Sequence, residues 1–354
     1  MKDLPAERLE NQLPDKAPLY SHGEAVTEAN RCIYCVDAPC VQACPTGIDI
    51  PTFIHKIATD NVKGAARTIF TDNLLGYSCA RVCPVEVLCA GSCVYNHWGR
   101  PPIEIGRLQR YATESALAKD AELLKRTRKA PTGKKIACIG GGPASLAAAG
   151  HLALDGHTVH VFEKRDYAGG LNTTGVAPYK LHAHDALKEV RMILALGDIT
   201  LKTGVEIVDG EAGDGQVSAR SLLDDYDAIF VGIGLGPDNF LHVEGEDGAG
   251  VVGAVEYIEE LKLDPEAKLE GIERALVIGG GNTAIDISRD LAQLGVPEVA
   301  MVYRKTEAVM SGYAHEMVGA RKDGVRLVEN RQPAAVFREG GRVTCLKVRA
   351  TSDS

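Results

Sequence analysis

Eight of the chain's ten cysteines fall between Cys32 and Cys93, in two short runs. The first is Cys32-x2-Cys35-x4-Cys40-x3-Cys44, followed by Pro45; the second is Cys79-x3-Cys83-Pro84 and then Cys89-x3-Cys93. Close-spaced thiolates trailed by proline are a ligand pattern for iron–sulfur clusters, which move single electrons. A cubane [4Fe–4S] cluster takes four ligands, so these thiols suffice for two clusters. In ferredoxin-like runs the fourth cysteine ligates the other cluster. That rule groups Cys32, Cys35 and Cys40 with a distant fourth ligand and sends Cys44 to the second run. Structural zinc prefers shorter paired spacings and fits these runs poorly. The opening residues MKDLPAERLENQLPDK lack the apolar core of a signal peptide. A cytoplasmic, reducing setting is therefore expected, in which thiols are metal ligands and not disulfides. Cys138 and Cys345 lie in strand-like segments and read as buried core thiols.

A second kind of chemistry lies further along. Ile136–Ile139 reads as a short buried strand, followed by Gly140-Gly141-Gly142-Pro143-Ala144-Ser145 and an Ala- and Leu-rich helix to Leu154. Strands at Thr158–Phe162, ending at Glu163, and at Ala228–Ile233 complete this region. The pattern then repeats: strand Ala275–Ile278, turn Gly279-Gly280-Gly281-Asn282-Thr283-Ala284, a helix to Leu294 and strand Val299–Tyr303. Glycines between a strand and a helix let backbone N–H groups approach a pyrophosphate at the helix N-terminus. Two copies predict two dinucleotide sites. Glu163 suits ribose hydroxyls, whereas Arg304 and Lys305 at the corresponding place suit a 2′-phosphate, favouring NADP(H) with NAD(H) as the alternative. A nicotinamide gives up electrons in pairs and a cluster takes one, so FAD in the first copy is the logical middle carrier.

These groups need elements to position them. Residues 1–128 read as a helical iron–sulfur domain, with helices at Ile48–Ala58 and Ile105–Lys125. The polar stretch Lys125–Lys135, with Pro131 and Gly133, reads as a linker. Residues 129–245 then form an α/β, Rossmann-like FAD domain and 246–354 a second such domain for NAD(P)H. After a strand at Arg342–Arg349 the sequence trails off through Ser354, so this last domain is expected to be incomplete. Apolar content of 45% and charge content of 25% are ordinary for a globular protein. A net charge of −9 argues against nucleic acid as a partner. No apolar stretch approaches the ~20 residues of a membrane span.

Together these residues resemble a known family: the small (β) subunit of glutamate synthase, and the N-terminal flavin and iron–sulfur region of dihydropyrimidine dehydrogenase with its bacterial flavin-subunit counterpart. The resemblance runs through the Cys32–Pro45 run, Ser78-Cys79-Ala80-Arg81-Val82-Cys83-Pro84 and Ile105-Gly106-Arg107-Leu108-Gln109. It continues through Gly140–Ser145, Glu163-Lys164, Gly169-Gly170-Leu171 and Gly279–Thr283. It implies two [4Fe–4S] clusters, one on Cys32, Cys35, Cys40 and Cys93, the other on Cys44, Cys83, Cys89 and Gln109, with Cys79 a spare thiol. Spacing alone makes Cys79 the ligand and Gln109 an ordinary exposed helix residue.

For FAD the resemblance implies Gly140, Gly141, Gly142, Pro143 and Ala144 at the pyrophosphate, Glu163 at the ribose, and Gly169, Gly170 and Leu171 beside the cofactor, with Lys164 also among the cofactor-binding residues. Lys180 stands where dihydropyrimidine dehydrogenase has arginine. For the nicotinamide it implies Gly280, Gly281, Asn282, Thr283, Arg304 and Lys305; a further arginine of that pattern is Ser311 here. The family also returns to its flavin domain through a Gly-Gly-Asp-type turn, and this sequence stops before it. The implied activity is an electron-input subunit passing electrons from NAD(P)H through FAD and the clusters to a partner subunit in a hetero-oligomer. No nucleophile triad or metal-bound water is legible, and His97, His182, His184 and His315 read as surface or core residues. Trp98 is expected to pack over the cluster domain. Two rival readings are a subunit of an electron-bifurcating transhydrogenase or hydrogenase-type complex, and a structural assembly module that merely retains the clusters.

Overall fold

The computed structural model describes residues 1–119, 123–124 and 127–352. The chain divides into two compact units, one of residues 1–3, 16–173 and 184–234, the other of 4–15, 174–183 and 235–354.

The first unit opens with six helices: α1 (His22–Ala29), α2 (Pro39–Gln42), α3 (Ile50–Ala58), α4 (Val62–Asp72), α5 (Gly76–Val82) and α6 (Ile105–Lys119). No strand occurs among the described residues of this stretch. Its helix starts are written locally. Ser21 and Glu24 form a reciprocal capping box on α1, Asp49 caps α3 with Pro51 in its first turn, and Asn61 caps α4. Phe53, Ile54, Ile57, Ala65, Ala66, Ile69, Phe70 and Leu108 are fully buried. Helix α6 packs against α4 and α5 together. The helix expected over Ile105–Lys125 is described from Ile105 to Lys119; the rest of that expectation, and the start of the linker at Lys125, fall largely on residues outside the described ones.

The same unit then forms a parallel sheet. Strands β1 (Lys135–Ile139), β2 (Thr158–Glu163), β3 (Ile199–Thr203) and β6 (Ala228–Val231) lie in the order β3-β2-β1-β6. Between them run α7 (Pro143–Leu154), α8 (Leu171–Thr174), α9 (Ala183–Leu194), the small pair β4 (Glu206–Val208) and β5 (Gln216–Ser218), and α10 (Ala219–Asp225). Ile136, Cys138, Val159 and Val161 face Ala149 and Ala153 of α7 on one side, while Ala137 and Phe162 meet Leu222 of α10 on the other. A sheet covered on both faces needs continuous apolar strands, which is why β1 and β2 read so clearly. Strand order reverses at β1, and that is where open α/β sheets bind ligands.

The second unit repeats the plan in shorter form. Strands β7 (Arg274–Ile278), β8 (Glu298–Val302) and β9 (Arg326–Val328) are parallel in that order, with α11 (Ala254–Leu263), α12 (Asn282–Gln293) and α13 (Ala314–Lys322). Its core gathers Ile258, Leu261, Ile285, Ile287, Met301 and Met317. An antiparallel hairpin of β10 (Arg331–Glu339) and β11 (Arg342–Ala350) follows, turned by Gly340 and Gly341, both at positive φ. Cys345 lies on this two-stranded hairpin and is exposed, which corrects its reading as a core thiol; Cys138 is buried as expected.

Candidate iron–sulfur and dinucleotide sites

Cys32, Cys35, Cys40 and Cys93 line one cavity, together with Ile50, Ile54, Ile103 and Ile105. The loop from Cys32 to Cys40 folds around it through Tyr34 and Asp37, two non-glycine residues in the left-handed region at φ 50° and 51°. Such conformations cost roughly 1–3 kcal/mol each and persist where the surroundings demand them. Burial raises the Cys32 thiol and pushes Cys40 up to about 11, with the neighbouring Cys32 and Cys93 adding to the second shift. No charged side chain lines the cavity. Four thiolates in an apolar cavity need a cationic centre to offset their desolvation, and an iron–sulfur cluster supplies one. The residues present fit that group.

Cys44, Cys79, Cys83 and Cys89 form the other gathering. Cys89, pushed up to about 12 by burial, feels Cys44 and Cys79, and Cys83 feels Cys89 and Cys44. Cys79, on α5, donates its thiol proton to Cys83, which lowers Cys83 and raises Cys79. Gln109 of α6 also hydrogen bonds Cys79, and its Nε2 donates to the carbonyl of Gly76 at 2.7 Å. With Nε2 on a carbonyl, Oε1 is the amide atom able to bind a metal. Gln109 is 5% exposed, which corrects the spacing-based reading of it as a surface residue. The helical period assigns polar positions outward, but α6 packs against α1, α3, α4 and α5. The chain thus places Cys93 with the first run and Cys44 with the second.

Two carboxylates absent from the sequence reading hold α5 in place. Asp185 and Glu189 stand one turn apart on α9. Asp185 pairs with Arg81 of α5 at 2.8 Å. Glu189 accepts the backbone N–H groups of Tyr77 and Ser78 at 2.8 and 3.1 Å, and the Ser78 hydroxyl. Burial pushes Glu189 up to about 7, against the pull of those hydrogen bonds. In sequence they are two acidic residues in an amphipathic helix, and nothing local distinguishes them from a solvated face.

The first glycine turn joins β1 to α7. Gly140 takes φ +91°, and a Cβ on it would lie 2.5 Å from the Gly232 carbonyl oxygen. Glu163, at the end of β2, accepts the Gly141 N–H at 2.6 Å and the Arg165 N–H at 2.9 Å. The Gly141 carbonyl in turn accepts the Gly169 N–H at 2.7 Å, and Gly169 and Gly170 both take positive φ before Leu171. Gly140–Ala144, Glu163 and Gly169–Leu171 therefore come together, with Lys164 exposed at the edge. Gly142 caps α7 and Pro143 opens it, so the helix N-terminus faces this turn.

In the second unit Gly281 caps α12, and a Cβ on Gly280 would strike the Tyr303 ring at 2.6 Å. Asn282 Oδ1 accepts the Tyr313 N–H at 2.9 Å, and the Gly280 carbonyl accepts the Gly312 N–H at 2.8 Å. Ser311 is beside Gly281. Thr283, Arg304 and Lys305 are exposed, the last two just beyond β8.

Lys180 belongs to this unit, where its Nζ pairs with Asp286 of α12 at 2.7 Å and Glu316 of α13 at 3.2 Å. Tyr179 also donates to Asp286. The structure gives Lys180 an ion-pair role beside whatever part it takes at a cofactor. Removing one member of a buried pair typically costs about 3–5 kcal/mol. Lys180→Ala is expected to destabilise the protein by roughly that amount in a denaturant titration. Trp98 is more than half exposed and tilts against Tyr95, which lines the first thiol cavity.

Comparison with known proteins bears on both regions. Residues 9–121 match the family described as "Dihydroprymidine dehydrogenase domain II, 4Fe-4S cluster", and residues 134–353 match "Pyridine nucleotide-disulphide oxidoreductase". The chain is 33% identical over 344 residues to the NAD-dependent dihydropyrimidine dehydrogenase subunit PreT of Escherichia coli strain K12, a match spanning 97% of this chain and 80% of the relative. It belongs to that family. The glutamate synthase [NADPH] small chain of Halomonas elongata is a further relative, 33% identical over 359 residues, 97% of this chain and 72% of the other. The family places an iron–sulfur domain before a Rossmann-type NAD(P)H oxidoreductase region, as this chain does. A 2-naphthoyl-CoA reductase structure shares the fold at a TM-score of 0.50 and 19% identity, over 86% of this chain and 42% of that one. Among the described residues no helix is long and apolar enough to cross a membrane.

Proposed function

We propose that the chain is the electron-input subunit of a hetero-oligomeric oxidoreductase, with two [4Fe–4S] clusters in residues 1–128, FAD in 129–245 and NAD(P)H in 246–354. The observation that carries this reading is that both thiol gatherings and the first glycine turn lie in one compact unit. When bound, FAD would take electrons in pairs from a nicotinamide and release them singly to iron–sulfur centres.

The chain's own residues perform the rest. Gly140–Ala144 and the α7 N-terminus direct backbone N–H groups at a pyrophosphate. Glu163 holds the Gly141 N–H and so fixes the turn beside the ribose position. Cys32, Cys35, Cys40 and Cys93 hold one cluster in a cavity lined by apolar side chains. Cys44, Cys83, Cys89 and Gln109 hold the other, with Cys79 as a hydrogen-bonding neighbour. Cys79→Ala is then expected to keep its full iron, while Gln109→Ala is expected to lose up to about half. The opposite ranking by iron analysis would make Cys79 the ligand.

Arg304 and Lys305 select the 2′-phosphate in this reading. A hydrogen bond to a charged group is worth about 1.5–3 kcal/mol. Reversing both charges should therefore raise KM for NADPH by about tenfold or more and leave that for NADH within a few-fold. Equal effects on the two would remove the assignment. The function itself is tested by adding NADPH or NADH anaerobically to the complete complex. Bleaching of the visible flavin band is expected, and its absence with both donors would contradict the proposal.

A further inference from the structure

We propose that Glu189 is a positioning residue for the second cluster: its buried carboxylate fixes the first turn of α5 and holds that cluster at a lower reduction potential. The inference rests on the two-cluster reading above. Glu189 is fully buried, and its three hydrogen bonds go to Tyr77 and Ser78, the two residues immediately before Cys79. Gln109 grips the same turn from the other side through the Gly76 carbonyl. One short helix segment is thus held by an amide from α6 and a carboxylate from α9; it carries Cys79 and is capped at its C-terminus by Cys83.

The carboxylate also acts by charge. Reduction adds one electron to the cluster and hence one negative charge. A fixed anion in low dielectric opposes that step, and its effect is much larger than across water. Glu189 lies within electrostatic reach of Cys79. Arg81 on the same helix is held by Asp185. Charge near a cluster tunes its potential, and Glu189 contributes it while its hydrogen bonds hold the backbone just before Cys79.

The test is an EPR-monitored redox titration of the complete complex at mildly alkaline pH. Glu189→Gln keeps the shape and removes the charge. We expect its second cluster to become about tenfold easier to reduce, an upward shift of ~59 mV for one electron. The cluster on Cys32, Cys35, Cys40 and Cys93 should be unmoved. Ser78→Ala keeps the carboxylate and should show no upward shift. An unchanged potential in an iron-replete Glu189→Gln variant overturns the proposal. So does an equal upward shift in Ser78→Ala. Loss of iron in Glu189→Gln, with iron kept in Ser78→Ala, also overturns it, because the carboxylate would then hold only the fold. A wild-type complex with a single cluster signal would instead contradict the two-cluster reading, and this proposal with it.

Discussion

Cys93→Ala is expected to lose about half of the chain's iron, and the half lost is the cluster shared with Cys32, Cys35 and Cys40. Cys93 follows the second cysteine run in sequence, yet it lines the cavity of the first. Its neighbours include Cys32 and Cys40, whose thiols it perturbs. A cubane that loses one of four ligands in an apolar cavity has no charged side chain there to replace it. Iron should fall from about eight to about four atoms per chain, with labile sulfide falling in parallel. Cys44→Ala should remove the other half. If Cys93→Ala instead depleted the cluster held by Cys83 and Cys89, the exchange between the two runs would be wrong.

Gly140→Val should abolish FAD binding while leaving the iron in place. Gly140 holds φ +91°, where a β-branched residue is strained by about 1–3 kcal/mol. The new Cβ would also lie 2.5 Å from the Gly232 carbonyl oxygen, a backbone atom of the segment following β6. Relief requires β1 and that segment to part, which turns the Gly141 and Gly142 N–H groups away from the phosphate position. The cysteine helices have their own core in Phe53, Ile54, Ile69 and Phe70 and should keep their clusters. Flavin content after gel filtration, set against iron content, checks this. Full flavin occupancy in the variant would show that this turn does not hold the cofactor.

Much of this architecture is legible in the sequence because its signals are local. The β1 turn announces itself through a strand, three glycines and a helix in unbroken order, and β7 repeats them. The cysteine runs declare metal ligation through spacing alone. What stays hidden is long-range. β3, Ile199-Thr200-Leu201-Lys202-Thr203, does alternate as a half-buried strand should, but five residues with two apolar positions make a weak local signal. β10 contains Pro333, which argues against a strand, yet it pairs with β11 across the Gly340-Gly341 turn. Gln109 reads as exposed because a polar residue in an amphipathic helix normally is; the packing of several helices around α6 buries it. Glu189 is invisible for the same reason, since its partners are more than a hundred residues away in sequence. The crossing of Cys44 and Cys93 could be suggested by a ferredoxin-like rule, but their neighbours emerge only when the helices pack.

The central claim is that electrons enter at a nicotinamide and leave through both clusters. Stopped-flow absorbance combined with freeze-quenched EPR, after mixing the oxidised complete complex with NADPH or NADH under anaerobic conditions, tests it most directly. Flavin bleaching is expected first, followed by the EPR signals of reduced [4Fe–4S] clusters at the expense of reduced flavin. A flavin that bleaches and stays reduced, beside clusters that appear only on addition of a strong chemical reductant, would contradict it.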